Sequence, residues 1–426
     1  MNKHISYKGF WTMLALMFGF TIFSASVMSG AGLAKEMATW KGAIAILMGN
    51  VILALYGATL AFISSKRKKN LDGVLKRAFG KNGAIIPSMV MIATQTGWFG
   101  VGIAMIAIPL GMYSNVSPWA YVFIFGGLIM LTAFFGIKSL TIISIVAVPL
   151  VLILGFIAIG MSVGLGTYKH HITGNTNFWV AISIVIGTFI SGATFVPNFA
   201  VNAKSTKIAV STTALAFLVG NGLMISFGFI SQLFIADQVL GFVTITDAIS
   251  NKITNGMFLI TMGIIILILN IWTTNDSGLY SISLGLNHWI KMPIYSDGII
   301  KWKEIPKRIW VVVFGLLGSA ASIWLYTNFI VFLSYMNRFV PPIGALIMIN
   351  YLFKNQETRF TWKECKLLEI FFMALSTGLT FIPLFTIYAP LVSFGFTVVL
   401  YLPYILLEEK YFPTKINIIE DKKDGA

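Results

Sequence analysis

Residues 10–33 read FWTMLALMFGFTIFSASVMSGAGL. The stretch is long and apolar enough to cross a hydrocarbon layer of about 30 Å. Its centre, Thr21-Ile22-Phe23-Ser24-Ala25-Ser26, turns small and hydroxylated and is flanked by Gly19 and Gly30. Residues 188–193, Thr-Phe-Ile-Ser-Gly-Ala, repeat that character between Gly187 and further small residues. Five spans separate the two strings, so their helices run in opposite directions, as an inverted-topology repeat requires. Interrupted helices at corresponding places in two halves are the strongest sequence pointer to a transport site. Either string alone is also what close helix packing selects; the pair favours the functional reading. Both helices are therefore expected to open at mid-membrane depth.

Around the first stretch the same apolar pattern recurs to the end of the chain. We expect about twelve spans, the length of each set by the bilayer: 10–33, 41–65, 83–112, 118–136, 139–165, 178–199, 207–234, 255–279, 309–327, 329–353, 367–386 and 388–407. Of the 426 residues, 57% are hydrophobic and only 11% are charged, well under the share in soluble domains. The fold class is an all-α polytopic membrane protein in a single membrane domain. The first span is too long for a cleaved signal peptide and no small-residue cleavage site follows it.

The formal charge of +15 does not indicate nucleic acid, because the cations are segregated. With a cytoplasmic N-terminus, the inner side collects Lys66, Arg67, Lys68, Lys69, Lys76, Arg77, Lys81, Lys301, Lys303, Lys307, Arg308 and most of the others. The outer side holds Lys35, Lys41, Lys169 and Lys252. This positive-inside asymmetry puts both termini in the cytoplasm of a plasma (inner) membrane. Trp11, Trp40, Trp119, Trp179, Trp310 and Trp324 mark span ends and read as interfacial anchors. The lone Cys365 and the loop histidines His4, His170, His171 and His288 provide no disulfide, thiolate-metal framework or intramembrane proton relay. With neither a nucleophile–base pair nor metal ligands inside the spans, an embedded enzyme is disfavoured. No filter string suggests a channel.

Polar groups within the membrane are costly and each calls for a reason. In the third span Gln95 and Trp98 are three apart and share a helix face. A carboxamide beside an indole suits a flat heteroaromatic ligand, one reading its edge and the other stacking on its face; the plain alternative is helix–helix packing. In the sixth span, Phe189 lies among the hydroxyls of Thr188 and Ser191 and beside Gly187. If the backbone opens there, its amides are available to a ligand. In the eighth span Asn270, Thr273 and Thr274 fall at i, i+3 and i+4. Their oxygens, with carbonyls freed between Gly19 and Phe23, suit a hard monovalent cation; back-bonding of the threonines to their own helix is the alternative. Asp276 reads as a gate residue or an interfacial charge, and Arg338 has no evident partner.

These residues resemble a known family. The strings 94–111 (TQTGWFGVGIAMIAIPLG) and 269–280 (LNIWTTNDSGLY), with 23–26 (FSAS), 187–191 (GTFIS) and 340–344 (VPPIG), are similar to bacterial cytosine permeases of the nucleobase–cation symporter family, over about residues 8–405. The resemblance implies a sodium/leucine-transporter-like fold of two inverted five-helix repeats (8–172 and 173–353), two additional helices (366–407) and a cytoplasmic tail (408–426). It implies a transporter, functional as a monomer, that takes up cytosine with Na+ as coupling ion. The same scaffold could accept a hydroxymethylpyrimidine, a purine or a hydantoin, or couple to protons. By position, Trp98 and Phe189 would sandwich the base, with Gln95, Gly187, Thr188, Ser191 and Asn270 around it. Sodium would sit among Gly19, Phe23, Asn270, Thr273 and Thr274. Two departures stand out. Asn198-Phe199-Ala200-Val201 replaces an Asp-Phe-x-Arg-type string, and Asn350-Tyr351 replaces Asp before Tyr, which suggests an inner-side charge network neutralised as a unit.

Overall fold

The computed structural model describes residues 7–135, 137–165, 168, 174–235, 239, 241–250, 256–286, 291–296, 299–353, 361–362 and 365–411. All four histidines, together with Lys169 and Lys252, lie outside the described residues.

The first span is two helices, α1 (Phe10–Thr21) and α2 (Ser24–Glu36), bent by 56° at their junction. Ile22 and Phe23 are extended there. Then follow α3 (Thr39–Arg67), α4 (Leu71–Phe79), α5 (Ile85–Ser114), α6 (Pro118–Ala133), α7 (Ile137–Leu165), α8 (Phe178–Phe195) and the short α9 (Pro197–Ala200). The second half runs through α10 (Thr206–Leu215), α11 (Gly222–Phe234), α12 (Phe242–Ser250), α13 (Gly256–Leu286), α14 (Lys307–Thr327) and α15 (Phe329–Phe353). It closes with α16 (Leu367–Leu379), α17 (Pro383–Thr386) and α18 (Ala389–Tyr411). An antiparallel hairpin, Lys291–Ser296 with Ile299–Glu304, precedes α14.

Among the described residues nine helices or helix pairs are long and apolar enough to span a membrane. The bent first pair adds one, and the shorter apolar helices Pro118–Ala133 and Leu367–Leu379 add two, twelve in all at the expected places. The eleventh stops at Leu379, short of the expected 386, because the chain turns before Pro383.

Two sequence expectations change. The sixth span does not open at 187–193: α8 is continuous through that string and ends only at Phe195, before Pro197. Within it Thr188 turns its hydroxyl back onto the Val185 carbonyl (2.6 Å). Trp310 is not an interfacial anchor but buried, 9% exposed, whereas Trp11, Trp40, Trp119, Trp179 and Trp324 are exposed. The polar segment 66–82 holds a helix, α4, whose buried Leu71, Val74, Leu75, Ala78 and Phe79 follow the helical period. Asn70 caps it by accepting from the Gly73 amide.

Helices α2 and α11 approach until backbone meets backbone. A Cβ on Gly30 would strike the Ile225 carbonyl, and one on Gly228 would strike that of Val27. Between α10 and α11 the turn Ala216–Asn221 widens into a π-helix, a form that often marks functional sites. It presents Asn221, which accepts from Ser26 (2.6 Å) and donates to Asn50 (2.8 Å), tying α2, α3 and the seventh span together.

Gly30→Ala and Gly228→Ala should each destabilise the fold by about 1–3 kcal/mol through overpacking. Gly32→Ala, with nothing within 4 Å of the new Cβ, should be neutral or stabilising. Thermal unfolding of the purified protein in detergent checks the contrast.

Candidate functional site

Breaking a helix frees the carbonyls of its last turn. At the end of α1 those carbonyls meet α13. Asn270 donates its carboxamide N–H to the Ile22 carbonyl (2.8 Å) and accepts from the Ser24 hydroxyl (2.7 Å). Its side chain thus bridges the last turn of α1 and the first residue of α2. One turn on, the Thr274 hydroxyl lies 3.4 Å from the Gly19 carbonyl, 3.2 Å from that of Ile22 and 3.3 Å from that of Asn270. A hydroxyl has a single proton and can satisfy one of these at a time. The Thr273 hydroxyl adds a fifth oxygen, 2.9 Å from the Asn270 carbonyl. Neutral oxygens converging in this way, with no nitrogen or sulfur donor among them, have the chemistry of a hard-cation site.

The expected ion-site residues thus divide. Gly19, Asn270, Thr273 and Thr274 bring oxygens together. Ile22, rather than Phe23, supplies the second carbonyl of α1. Phe23 turns its carbonyl to the Ser26 amide (3.0 Å) and its ring into a neighbouring cavity. At Gly19 the absent side chain admits Ser144 of α7, whose buried hydroxyl oxygen has no hydrogen-bond partner among the described residues. Sequence periodicity gave no sign of Ser144, which comes from a different span.

A small, partly open cavity of about 20 Å³ lies beside this cluster, between α1, the Ile22–Phe23 break, α5, α8 and α13. Gln95, Trp98, Thr188, Phe189 and Ser191 line it, as do Phe20, Phe23, Phe99, Gly192, Thr274, Asn275 and Gly278. Trp98 is held by its indole N–H, which donates to Ser191 (2.8 Å), and by edge contacts with Phe23, Phe329 and Phe332. Phe189 is held edge-on by Phe20 and Phe217. Gln95 is buried and makes no hydrogen bond among the described residues; Gly278 leaves the room its carboxamide oxygen occupies.

Two expected base contacts lie elsewhere. Gly187 does not line the cavity, since its bare face packs on the Asn337 carboxamide of α15. The Asn270 side chain is taken up by the break. Asn275, which the sequence reading passed over, lines the cavity while its carboxamide donates to the Phe99 carbonyl (3.0 Å).

Asp276 is not an interfacial charge. It is fully buried, and the neighbouring Thr132 hydroxyl is occupied by the Trp272 indole (3.0 Å) and the Ile129 carbonyl (3.0 Å). Arg338 is buried at 8% exposure with its guanidinium 4.4 Å from the Phe381 ring centre, a cation–π contact that supplies the partner the sequence withheld. Asn198 and Asn350 both bear on α4. Asn198 accepts from the Leu71 amide (3.0 Å), and Asn350 borders a cavity that α4 also lines.

A first span broken at mid-depth, its freed carbonyls held by a helix seven spans later beside a partly open cavity, defines a membrane transporter rather than an enzyme. Solved structures share the fold over nearly the whole chain. Mhp1, a nucleobase-cation-symport-1 family transporter in a closed conformation with bromovinylhydantoin bound, aligns with a TM-score of 0.77 at 16% identity, covering 97% of this chain and 96% of that one. The substrate-bound outward-open state of a Na+-coupled sialic acid symporter gives 0.66 at 14% identity, covering 93% and 89%. These likenesses establish the sodium/leucine-transporter fold. Residues 7–359 match the family described as permease for cytosine/purines, uracil, thiamine, allantoin. The cytosine permease of Escherichia coli (strain K12) is 33% identical over 354 residues, 82% of this chain and 79% of that protein. The chain belongs to this permease family.

Asn270→Ala should leave the Ile22 carbonyl and the Ser24 hydroxyl unpaired, at a cost of about 1–3 kcal/mol for each. Ser29→Ala, which removes only a bond to the Ala25 carbonyl of its own helix, should be nearly silent. The two unfolding midpoints, compared in one detergent, check this.

Proposed function

We propose that the chain is a secondary active transporter that imports a nucleobase, cytosine before other planar heterocycles, by Na+ symport with alternating access. The observation that carries the reading is the buried, uncommitted Gln95 carboxamide in a cavity bordered by the Trp98 and Phe189 rings. A carboxamide offers donors and an acceptor to the edge of a base, and each aromatic face offers stacking of about 1–3 kcal/mol. Thr188 and Ser191 add hydroxyl oxygens at the same wall. The kinship with the cytosine permease of Escherichia coli supports the choice of cytosine.

Sodium occupies the oxygen cluster of Gly19, Ile22, Asn270, Thr273 and Thr274, where the Gly19 carbonyl otherwise has only a long contact from the shared Thr274 hydroxyl. The ion braces the break that forms one wall of the base cavity, so each ligand favours the conformation that the other needs. Na+ influx contributes about 2.3 kcal/mol per 100 mV of membrane potential and about 1.4 kcal/mol per tenfold concentration difference. Either is enough to concentrate a neutral base. The inner location of both termini follows from the distribution of cations.

Uptake of labelled cytosine into proteoliposomes, with Na+ or proton gradients imposed separately and with hydantoin, purine and hydroxymethylpyrimidine competitors, tests substrate and ion together. Trp98→Ala should raise the half-saturating base concentration by roughly 5- to 150-fold, the equivalent of the stacking energy. Thr273→Ala with Thr274→Ala should abolish the Na+ dependence. Wild-type uptake at low Na+ in that double variant would reject the ion assignment, and accumulation driven by a proton gradient alone would reject sodium coupling.

A further inference from the structure

A second pair of cavities lies away from the transport site, along the seam between α3 and α15. One has an open side, a volume of about 280 Å³, and lies at the end of α3 that carries Arg67. Arg67, Lys69 and Arg77 line it, Asn350 and Tyr351 form its α15 wall, and none of its lining residues is acidic. Asp72 of α4 is outside it, paired with Lys76 (2.7 Å). Arg67 and Arg77 are near enough for their charges to repel. Burial and then the Arg67 charge both push the Arg77 guanidinium below its ordinary value. Lys366 adds further positive charge beside α4 by donating to the Arg77 carbonyl (2.8 Å). Among the described residues no carboxylate lines the cavity, and the Arg67 guanidinium rests 5.1 Å from the Tyr351 ring centre; like charges gathered in this way favour an anion among them, and arginine forks favour phosphate.

The other cavity is an apolar groove of about 260 Å³ between α3, α8, α15 and α18. Both are lined by α3. Ile52, Leu55, Tyr56 and Thr59 line the groove, and Ile63 and Arg67 line the cationic cavity. These positions recur every three or four residues and form one stripe on one face. From Ile52 to Ile63 the stripe rises roughly 16 Å, close to the roughly 15 Å of one leaflet's hydrocarbon. Beside it, Leu55 and Phe62 are exposed, as lipid-facing residues would be.

We propose that this seam binds one anionic phospholipid, its phosphate among Arg67, Lys69 and Arg77 and an acyl chain in the groove above. Soluble phosphate would use the cations but leave the groove unfilled; a neutral lipid would do the reverse. The groove touches α8 through Ile186 and Ile190, residues flanking Thr188 and Phe189 of the transport cavity, so a bound chain supports that wall from behind. The assignment does not depend on which solute the transporter carries.

The test is thermal unfolding of the full-length protein in detergent, titrated separately with phosphatidylglycerol, phosphatidylcholine and inorganic phosphate. The wild type should show a saturable rise of the midpoint with phosphatidylglycerol and none with the other two. Arg67→Gln with Arg77→Gln, at exposed positions, should need about tenfold more phosphatidylglycerol for the same rise. Lys66→Gln with Lys68→Gln, an equal charge change outside the cavity, should titrate like the wild type. Three results would overturn the proposal: no response to phosphatidylglycerol, an equal response to phosphatidylcholine or inorganic phosphate, or equal weakening in both double variants.

Discussion

The carbonyls released where the first span breaks at Ile22 and Phe23 are the constraint around which this bundle is arranged. Inside a membrane there is no water to donate to them, so each must find a donor or a cation within the protein. Asn270 and Thr274 of α13 meet that demand at the Gly19 and Ile22 carbonyls, across a sequence separation of 248 residues for the Asn270–Ile22 bond. Asn270 satisfies the Ile22 carbonyl and the Asn270 carbonyl accepts from Thr273, so it is the Gly19 carbonyl that depends on a long contact from a shared Thr274 hydroxyl.

The cavity shares its walls with this cluster, and Thr274 belongs to both. Ring packing holds Trp98 and Phe189 from behind, while the Trp98–Ser191 bond fixes the indole plane. The site is therefore assembled on rigid helical segments, with the extended residues Ile22 and Phe23 as the articulated part. Because α8 stays helical through Thr188 and Ser191, ligand contacts from that side come from side chains and not from opened backbone amides. The two halves of the repeat are thus unequal, with the interruption concentrated in the first.

Away from the centre, α4 joins several parts of the inner-side architecture. Asn198 receives its first amide and Asn350 borders the cavity along its flank, so both asparagines bear on the same short helix. Arg77 of α4 then faces a cavity with no acidic lining residue among the described residues, while Lys76 is paired with Asp72.

Much of the architecture was legible in the residues alone. The apolar lengths located twelve spans because bilayer thickness leaves little freedom, and the glycine-flanked hydroxyl string at 21–26 marked the break. Gln95 with Trp98, and Asn270 with Thr273 and Thr274, could be grouped because helical spacing within one span dictates which side chains share a face. What helical spacing cannot say is which other span that face will meet. The tertiary structure decided that Ile22 and not Phe23 presents its carbonyl, that Ser144 lies against Gly19, and that the Asn270 side chain serves the break while Asn275 borders the cavity. It also buried Asp276 and Trp310 and gave Arg338 an aromatic partner in the turn after α16. Each of these depends on contacts between segments far apart in the chain, where packing and the need to satisfy buried polar groups, rather than local periodicity, select the partner.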